Sequence, residues 1–271
     1  MGTGAWSLAG DFTGAFDDWT TQCPEVPSPG EDAEIKVEVL DGEYLWARYQ
    51  LGTAADASLL LVDSCAPGSH TCAENKDVNA TGEHPSESLI YLNDSGDTET
   101  LYLVLDEWDL GNTIPIGPYT LALDIGTTAT DQTLKDVCTD PSQITLISTP
   151  GMYRVSMAGM NNSWTLPTGN SCTLANTSEK DGHLRIEIPI GVTVTVTVRA
   201  VDSDGDPSIY FLKSCTGNID TDCVKGMDKY WHRSESLTYT NDSGGAKTLI
   251  LVVDGADGDF TEALVGVHYH P

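Results

Sequence analysis

Residues 87–106 of this chain recur, with few changes, as residues 235–254. Each copy has two apolar, β-prone runs on either side of a polar patch, Asn93-Asp94-Ser95-Gly96 in the first and Asn241-Asp242-Ser243-Gly244 in the second. Two such runs around Asn, Asp, Ser and Gly predict a β-hairpin with a long turn. A repeated hairpin of this kind predicts two copies of one fold.

Other landmarks recur at nearly the same spacing, which extends the repeat along the chain. The aligned pairs are Trp19 with Trp164, Cys23 with Cys172, Asp32 with Asp181, Asp56 with Asp206, and Cys65 with Cys215. In a chain of 271 residues, they predict two domains, 1–126 and 132–271, each large enough for its own core. The polar run 127–131 is the predicted linker.

The hydrophobic pattern predicts an all-β fold. Few segments have helical periodicity, whereas β-branched runs recur between clusters of Gly, Pro, Asn and Asp. Seven or eight short strands per copy predict two tandem antiparallel β-sandwich domains of jelly-roll or Greek-key type. The predicted strands are 6–9, 34–40, 44–51, 58–63, 88–92, 101–105, 119–125, 144–148, 153–157, 184–188, 192–201, 208–212, 237–240, 249–253 and 264–268.

The charge excludes nucleic acid as a partner. Asp and Glu number 41 against 13 Lys and Arg, a formal net charge of -28, which repels phosphate backbones. The acidity is typical of a protein that must stay soluble outside the cell, and it also suits binding of calcium, a hard cation that takes carboxylate oxygens. No apolar run is long enough to span a bilayer.

The seven cysteines indicate an oxidising compartment, because no iron or zinc pattern accounts for them. We therefore expect a secreted or cell-surface protein. The first residues show no signal-peptide pattern, so a mature fragment of a longer precursor is expected.

The cysteine spacing predicts specific disulfides. Cys65 with Cys72, and Cys215 with Cys223, bracket equivalent loops and are predicted to form local disulfides; reduced metal ligands are the alternative. Cys138 can pair with Cys172. Cys23 then has no partner within the chain. By the repeat, its partner is expected ahead of the first strand, which supports truncation, and a cysteine of another chain is the alternative.

No pattern of catalytic residues stands out, and we predict that the chain is not an enzyme. Ser243 lies in an Asp-Ser-Gly-Gly sequence like that around a chymotrypsin-type nucleophile. Ser95 occupies the same turn of the first copy, no histidine lies where that family has its base, and turn chemistry explains the motif. His268 and His270 are predicted to share one face of a strand, without forming a zinc motif.

Two groups of residues are candidates for binding. Tyr44 and Trp46 alternate on one predicted strand and could form an aromatic platform for a sugar or peptide, with core packing as the alternative. The loops 202–206 and 254–259 place acidic side chains close together, either for a cation or for a turn. Asp206, which aligns with Asp56, is the candidate metal ligand of the first loop.

Several short motifs of the first copy resemble the bacterial pre-peptidase C-terminal domain. They are Gly10-Asp11-Phe12-Thr13-Gly14-Ala15-Phe16-Asp17-Asp18, Gly30-Glu31-Asp32, Asp56-Ala57-Ser58-Leu59-Leu60-Leu61, Leu101-Tyr102-Leu103-Val104-Leu105-Asp106 and Gly117-Pro118-Tyr119-Thr120-Leu121. The resemblance covers nearly all of copy one. Copy two is more diverged and has Gly258-Asp259-Phe260-Thr261 where Gly-Pro-Tyr-Thr would stand.

This resemblance implies an extracellular β-sandwich accessory module, commonly attached to secreted peptidases and other exported proteins, related to collagen-binding modules and often calcium-dependent. It places calcium at Asp17 and Asp32 in copy one, and at Asn162 and Asp181 in copy two. Because Asn162 and Ser163 replace Asp17 and Asp18, the second site carries fewer charges.

Two functions remain open from the sequence. The first is a non-catalytic, calcium-stabilised module that binds an extracellular polymer or cell surface, or serves a parent peptidase. The second is a structural subunit of an extracellular fibre or surface assembly, joined through edge strands or Cys23.

Overall fold

The structure is a computed structural model that describes residues 1–12, 15, 32–52, 56–64, 71–76, 86–108, 117–166, 169, 172–173, 177–201, 205–216, 218–228, 234–258 and 260–270. These residues form strands and loops, with a 3₁₀ turn at Pro141–Gln143 and one helical turn, α1 (Ile219–Asp222). The all-β prediction is confirmed. The chain divides into two compact units, Met1–Thr127 and Thr128–Pro271.

The first unit is a sandwich of two antiparallel four-stranded sheets. Its strands are β1 (Gly4–Asp11), β2 (Ala33–Val39), β3 (Tyr44–Leu51), β4 (Asp56–Val62), β5 (Cys72–Lys76), β6 (Ser86–Leu92), β7 (Glu99–Trp108) and β8 (Pro118–Gly126). One sheet has the strand order β1-β8-β3-β6 and the other β2-β7-β4-β5.

The second unit repeats this architecture with one more strand in each sheet. Its strands are β9 (Thr130–Gln132), β10 (Leu146–Ile147), β11 (Gly151–Ser156), β12 (Gly182–Ile188), β13 (Thr193–Ala200), β14 (Asp206–Leu212), β15 (Cys223–Met227), β16 (Ser234–Thr240), β17 (Lys247–Asp257) and β18 (Glu262–His270). The sheet orders are β16-β13-β18-β11-β9 and β10-β12-β17-β14-β15. The pairs β9–β11 and β10–β12 are parallel.

Alternation along the strands builds a core between the sheets of each unit, because successive side chains point to opposite faces. On β14, Ile209 and Phe211 join the central core, while Tyr210 and Leu212 belong to a second apolar layer on the outer face of the sheet. β4 repeats the pattern, with Leu59 in the central core and Leu60 in the outer layer. Strands apolar on both faces are therefore covered on both faces.

The predicted hairpin around each Asn-Asp-Ser-Gly patch is wrong. β6 and β7 lie in opposite sheets of the first unit, and β16 and β17 lie in opposite sheets of the second. The patch is thus a crossover between sheets. The physical reason is that both flanking strands have an apolar face. When the two strands lie in opposing sheets, these faces bury each other in one core, and Leu89 of β6 and Leu103 of β7 belong to the same cluster.

The asparagine of each patch holds this crossover in place. Asn93 is fully buried, and its amide donates to the carbonyl oxygens of Val39 (2.8 Å) and Asp97 (2.8 Å). Asn241 is likewise buried and donates to Ile188 (2.8 Å) and Gly245 (3.0 Å). Each amide ties the crossover to the end of a strand in the facing sheet, which explains why the repeat keeps this residue.

Every predicted strand overlaps an observed one, whereas three short strands were not predicted. These are β5, β9 and β15. β9 uses Thr130 and Asp131, which belong to the predicted linker, and it pairs with β11 through a polar, three-residue stretch. Such stretches lack the apolar alternation that reveals a strand in the sequence. No helix among the described residues has the length and apolar character needed to cross a membrane.

Candidate functional site

The second unit contains a buried acid and histidine at the start of β12. Asp181 and His183 are both 0% exposed. One carboxylate oxygen of Asp181, Oδ2, accepts the backbone N–H groups of Ser163 (2.5 Å) and Trp164 (2.8 Å). The other, Oδ1, lies 3.8 Å from Nε2 of His183. Asp181 thereby fixes the segment 163–164 against the sheet.

The histidine tautomer follows from its other ring nitrogen. Nδ1 of His183 lies 2.8 Å from the carbonyl oxygen of Lys135, and since a carbonyl only accepts, Nδ1 carries the proton. In the neutral ring Nε2 is then an acceptor, and it faces the acceptor Oδ1 of Asp181 without a hydrogen bond. Two buried acceptors face each other.

Burial determines how this pair titrates. It raises the pKa of the Asp181 carboxyl to about 6, although hydrogen bonds from Trp164 and Ser163 oppose the shift. Burial also lowers the pKa of His183, against the effect of its bond to Lys135. Both shifts favour neutral groups, so a proton on Asp181 would give Nε2 of His183 the donor it needs.

A second buried polar group lies on the neighbouring strands. Tyr210 of β14 donates its hydroxyl to Oδ2 of Asp254 on β17, at 2.9 Å. Burial raises the pKa of Asp254 well above its ordinary value, while hydrogen bonds from Thr177 and Tyr210 oppose this. The Tyr210 side chain is fully buried, so this group joins strands and offers no surface to a ligand.

Two disulfides close the outer face of the same sheet, and their pairing differs from the prediction. Cys138 bonds Cys215, and Cys172 bonds Cys223, with Cα–Cα distances of 5.4 and 5.9 Å. The predicted pairs Cys138–Cys172 and Cys215–Cys223 are wrong.

Hydrogen bonds, and not a disulfide, close the loop between Cys215 and Cys223. The carboxylate of Asp222 accepts the Ser214 hydroxyl (2.7 Å) and the Thr216 N–H (2.9 Å). Both cysteines are thus available to the segment that covers the sheet. Cys72 is disulfide-bonded; Cys65, its predicted partner, and Cys23 lie outside the described residues.

The two calcium ligands predicted in copy two, Asn162 and Asp181, make hydrogen bonds within the protein. Across the described residues, no group of three or more His, Cys, Asp or Glu side chains is placed to hold a metal ion. Asp181 faces an imidazole nitrogen, whereas calcium takes oxygen ligands. The Asn162 side chain donates to Ser178 (2.8 Å) and accepts from Thr165 (3.2 Å).

The remaining predicted metal ligands are dispersed or undescribed. Asp32 is half-buried just before β2, and Asp206 is buried at the first position of β14. Asp17 lies outside the described residues, as do residues 202–204 of the acidic loop. Calcium therefore remains a prediction from the sequence.

Tyr44 and Trp46 share the outer face of β3, as alternation requires, but Trp46 is 3% exposed. The Arg48 guanidinium stacks over its ring at 3.8 Å, and its indole N–H donates to Ser88 at 3.1 Å. The ring is covered within its own sheet and does not form an open platform.

The serine and histidine candidates have structural environments. The Ser243 hydroxyl donates to Oδ1 of Asn241 (2.6 Å) and to the carbonyl of Gly245 (3.0 Å), both within the crossover. The rings of His268 and His270 contact each other, with centroids 4.4 Å apart. His270 Nε2 lies 3.1 Å from the Thr195 hydroxyl.

An open cleft of about 340 Å³ lies in the second unit, where β9, β10 and the start of β11 meet. None of the described residues that line it is charged; they are Thr128, Thr130, Gln132, Leu146, Ile147, Ser148, Thr149, Pro150, Gly151, Met152 and Tyr153. The Tyr153 hydroxyl bonds to the side chain (2.9 Å) and carbonyl (2.8 Å) of Thr149, which fixes one wall. No sequence signal indicated this cleft, because it depends on β9.

Comparison with known proteins identifies no family. No family model matches the chain, and no curated protein matches it. Solved structures that align include the CUB1-EGF-CUB2 domain of human MASP-1/3, at 8% identity and a TM-score of 0.26, over 97% of this chain and 99% of that one.

Two further structures align similarly. The CBM22-1-CBM22-2 tandem domain of Paenibacillus barcinonensis Xyn10C has 13% identity and a TM-score of 0.22, over 97% of this chain and 96% of that one. The PBSX exported protein XepA has 12% identity and a TM-score of 0.21, over 99% and 82%. Scores this low carry no argument about function, and the resemblance to the pre-peptidase C-terminal domain remains a prediction.

Proposed function

We propose that this chain is a non-catalytic extracellular module of a larger secreted or surface protein, and that its second unit binds a neutral saccharide segment of an extracellular polymer. The observation that carries the proposal is the uncharged cleft between β9, β10 and β11. Its volume, about 340 Å³, lies within the range of small-ligand sites.

The lining chemistry favours a neutral, polyhydroxylated ligand. Thr128, Thr130 and Ser148 supply hydroxyl groups and Gln132 supplies an amide, and each can both donate and accept. An uncharged lining is informative in a chain with a net charge of -28, because nearby acidic surface would repel an anionic polymer.

The other elements of the proposal rest on how reactive side chains are used. Two disulfides within the described residues indicate an oxidising compartment. The Ser243 hydroxyl is hydrogen-bonded within a turn. His183 is fully buried, and its Nδ1–H donates a hydrogen bond to the carbonyl oxygen of Lys135. These groups stabilise the fold and are not arranged for catalysis.

The proposal is tested by binding of the purified chain to immobilised neutral polysaccharides, acidic polysaccharides and collagen, followed by calorimetry with oligosaccharides from any polymer that binds. We expect binding to a neutral polysaccharide. Thr130→Arg should weaken it at least tenfold, because Thr130 is exposed within the cleft and a long charged side chain would occupy it.

Thr98→Arg is the matched control, since Thr98 is also exposed but lies in the first unit. It should leave binding unchanged. Equal loss in both variants, or binding to acidic polymers alone, would contradict a cleft for neutral saccharides.

A further inference from the structure

β1 of the first unit and β11 of the second are equivalent strands. Each pairs antiparallel with the last long strand of its unit, β1 with β8 and β11 with β18. Each begins at a glycine with positive φ, Gly4 at 138° and Gly151 at 153°. The surroundings of their other edges can therefore be compared directly.

The two outer edges differ. In the second unit β9 pairs in parallel with β11, with Thr130 opposite Tyr153 and Gln132 opposite Val155. Along the described part of the chain, no strand pairs with the outer edge of β1. The sheet of the first unit thus ends at the position where the second unit adds a strand.

Burial follows the same difference. Tyr153 and Val155 of β11 are 6% and 1% exposed, whereas their counterparts Trp6 and Leu8 are half-buried. The same difference holds for the facing edge strand β2 and its counterpart β12. Leu184 of β12 is fully buried, while the equivalent Ile35 of β2 is half-buried. Together, Trp6, Leu8, Ala33 and Ile35 form a partly exposed apolar strip beside the core of the first unit.

The second unit shows what covers this place. After β9 the chain places Leu134, which is 4% exposed, in the core. A Cβ on Gly182 would come within 2.7 Å of Leu134, so the leucine packs directly against the start of β12. One short segment thus supplies both a paired strand and an apolar side chain.

Over most of its length β1 also lacks the features that protect an edge strand from pairing, since its one charged residue, Asp11, is its last. Natural edges carry charges or prolines, or are very short. Gly4–Gly10 contains neither a charged residue nor proline over seven positions. The other described edge strands either contain a charged residue in the strand interior, as β2, β5, β6, β9, β15 and β16 do, or have only two residues, as β10 does.

We propose that the outer edge of β1 docks an extended peptide segment from outside residues 1–271, in parallel alignment. The segment has the chemistry of Thr130–Leu134: polar strand residues that pair through the main chain, then a leucine that packs on Leu8 and Ile35. This leucine lies farther from the sheet than Leu134 does, because Ala33 stands where the second unit has Gly182. This is strand addition to an open sheet edge, with main-chain hydrogen bonds giving affinity and the leucine giving specificity.

The test appends the sequence of residues 128–135 ahead of Met1 in the full chain, through a flexible Gly/Ser linker of roughly 15 residues. Hydrogen exchange measured by mass spectrometry should show slower exchange in β1, and the first unit should melt about 5 °C higher. The matched control carries the same extension with its glutamine replaced by proline and its leucine by aspartate, which removes both the strand pairing and the apolar contact.

Three results are distinguishable. Protection of β1 with the intact extension, and none with the control, supports the proposal, and Leu8→Lys in the extended chain should then abolish the protection. Equal exchange with both extensions overturns it. Dimerisation of the unextended chain with protection of β1, detected by light scattering, would show that a second copy occupies the edge and would also overturn it.

Discussion

The two units share one core but differ in what covers it. In the second unit the outer face of the β12-containing sheet carries an apolar layer with Trp164, Leu166 and two disulfides. The corresponding layer of the first unit, among the described residues, is smaller and centres on Leu60, Val62 and Val104. Among the described residues, the two units therefore share their central core more closely than their outer layers.

The comparison separates what the fold requires from what each copy has added. The buried asparagines Asn93 and Asn241 make the same bonds in both units, and the facing strands bury the same alternating residues. Among the described residues, the disulfides Cys138–Cys215 and Cys172–Cys223, the β9 strand and the Asp181–His183 pair lie in the second unit. We therefore expect substitutions in the shared features to affect both units alike, and substitutions in the additions to affect the second alone.

The largest selective effect should come from the disulfides. Replacing Cys138 and Cys215 with alanine, or Cys172 and Cys223, opens sequence separations of 77 and 51 residues. Chain-entropy arguments give about 4 kcal/mol for each disulfide. The second unit should melt well below the first in either double variant, measured by calorimetry together with hydrogen exchange.

The control for this prediction is the first unit within the same molecules, whose exchange should not change. Equal destabilisation of both units would show that they unfold together, and the comparison between them would lose its basis.

The shared asparagine should give the next largest effect, and an equal one in both units. Asn93→Ala and Asn241→Ala each remove a buried amide and leave strand-end carbonyls without donors. Because several buried hydrogen bonds are lost, we expect the free energy of unfolding of the affected unit to fall by roughly 3 kcal/mol. Denaturant unfolding followed by unit-resolved hydrogen exchange measures both.

Asn93→Asp and Asn241→Asp refine this prediction, since an aspartate retains the acceptor for the serine of the turn but loses the donors. If the hydrogen bonds donated by the amide provide most of the stabilisation, the aspartate variants should be destabilised nearly as much as the alanine variants. A large effect in one unit and none in the other would contradict an equivalent role.

The sequence predicted the β class, the repeat and every long strand, because alternation and turn residues are local signals. It failed at the crossover, since Asn-Asp-Ser-Gly between apolar runs does not reveal whether the next strand joins the same sheet. Asn93 shows why: its contact with Val39 is set by the stacking of two sheets. The disulfide pairs were predicted wrongly and the cleft was not predicted, for the same reason. The Cys138–Cys215 bond and the β9–β11 pairing both depend on segments that are not adjacent in sequence.

We expect Asp181→Asn to stabilise the second unit, although substitution of a buried residue usually destabilises a protein. The folded pKa, about 6, lies above the ordinary 3.8. The protonated acid is therefore favoured in the fold, and this contribution is complete below about pH 4 and lost as pH rises through 6. The shift corresponds to roughly 3 kcal/mol.

An asparagine keeps an acceptor for Ser163 and Trp164 and offers an N–H to Nε2 of His183. We expect the variant to stabilise the second unit by roughly 2 kcal/mol at pH 7.5 and to remove the fall in stability between pH 4 and 6. His183 contributes with the opposite sign, because its lowered pKa costs stability as pH falls below its ordinary value.

Melts from pH 4 to 8 test the prediction, with Asp242→Asn in an exposed turn as the control for one lost charge. Destabilisation by Asp181→Asn near pH 6, with Asp242→Asn neutral, would mean that Asp181 and His183 form an ion pair, contrary to both pKa directions.

The smallest predicted difference concerns two arginines, one in each unit. Arg48 Nη2 contacts Asp124 Oδ2 at 2.5 Å, and its side chain is 12% exposed; it also covers Trp46 at 3.8 Å. Arg154 Nη1 contacts Glu262 Oε1 at 3.0 Å with 40% exposure. Arg48→Gln should cost about 1 kcal/mol of stability through lost stacking and pairing. Arg154→Gln should cost less than ~0.5 kcal/mol, because exposed ion pairs contribute little.

Urea melts give both values, and a red shift of tryptophan emission in Arg48→Gln alone would show that Trp46 has been uncovered. Equal costs without that shift would mean that Arg48 covers nothing of consequence.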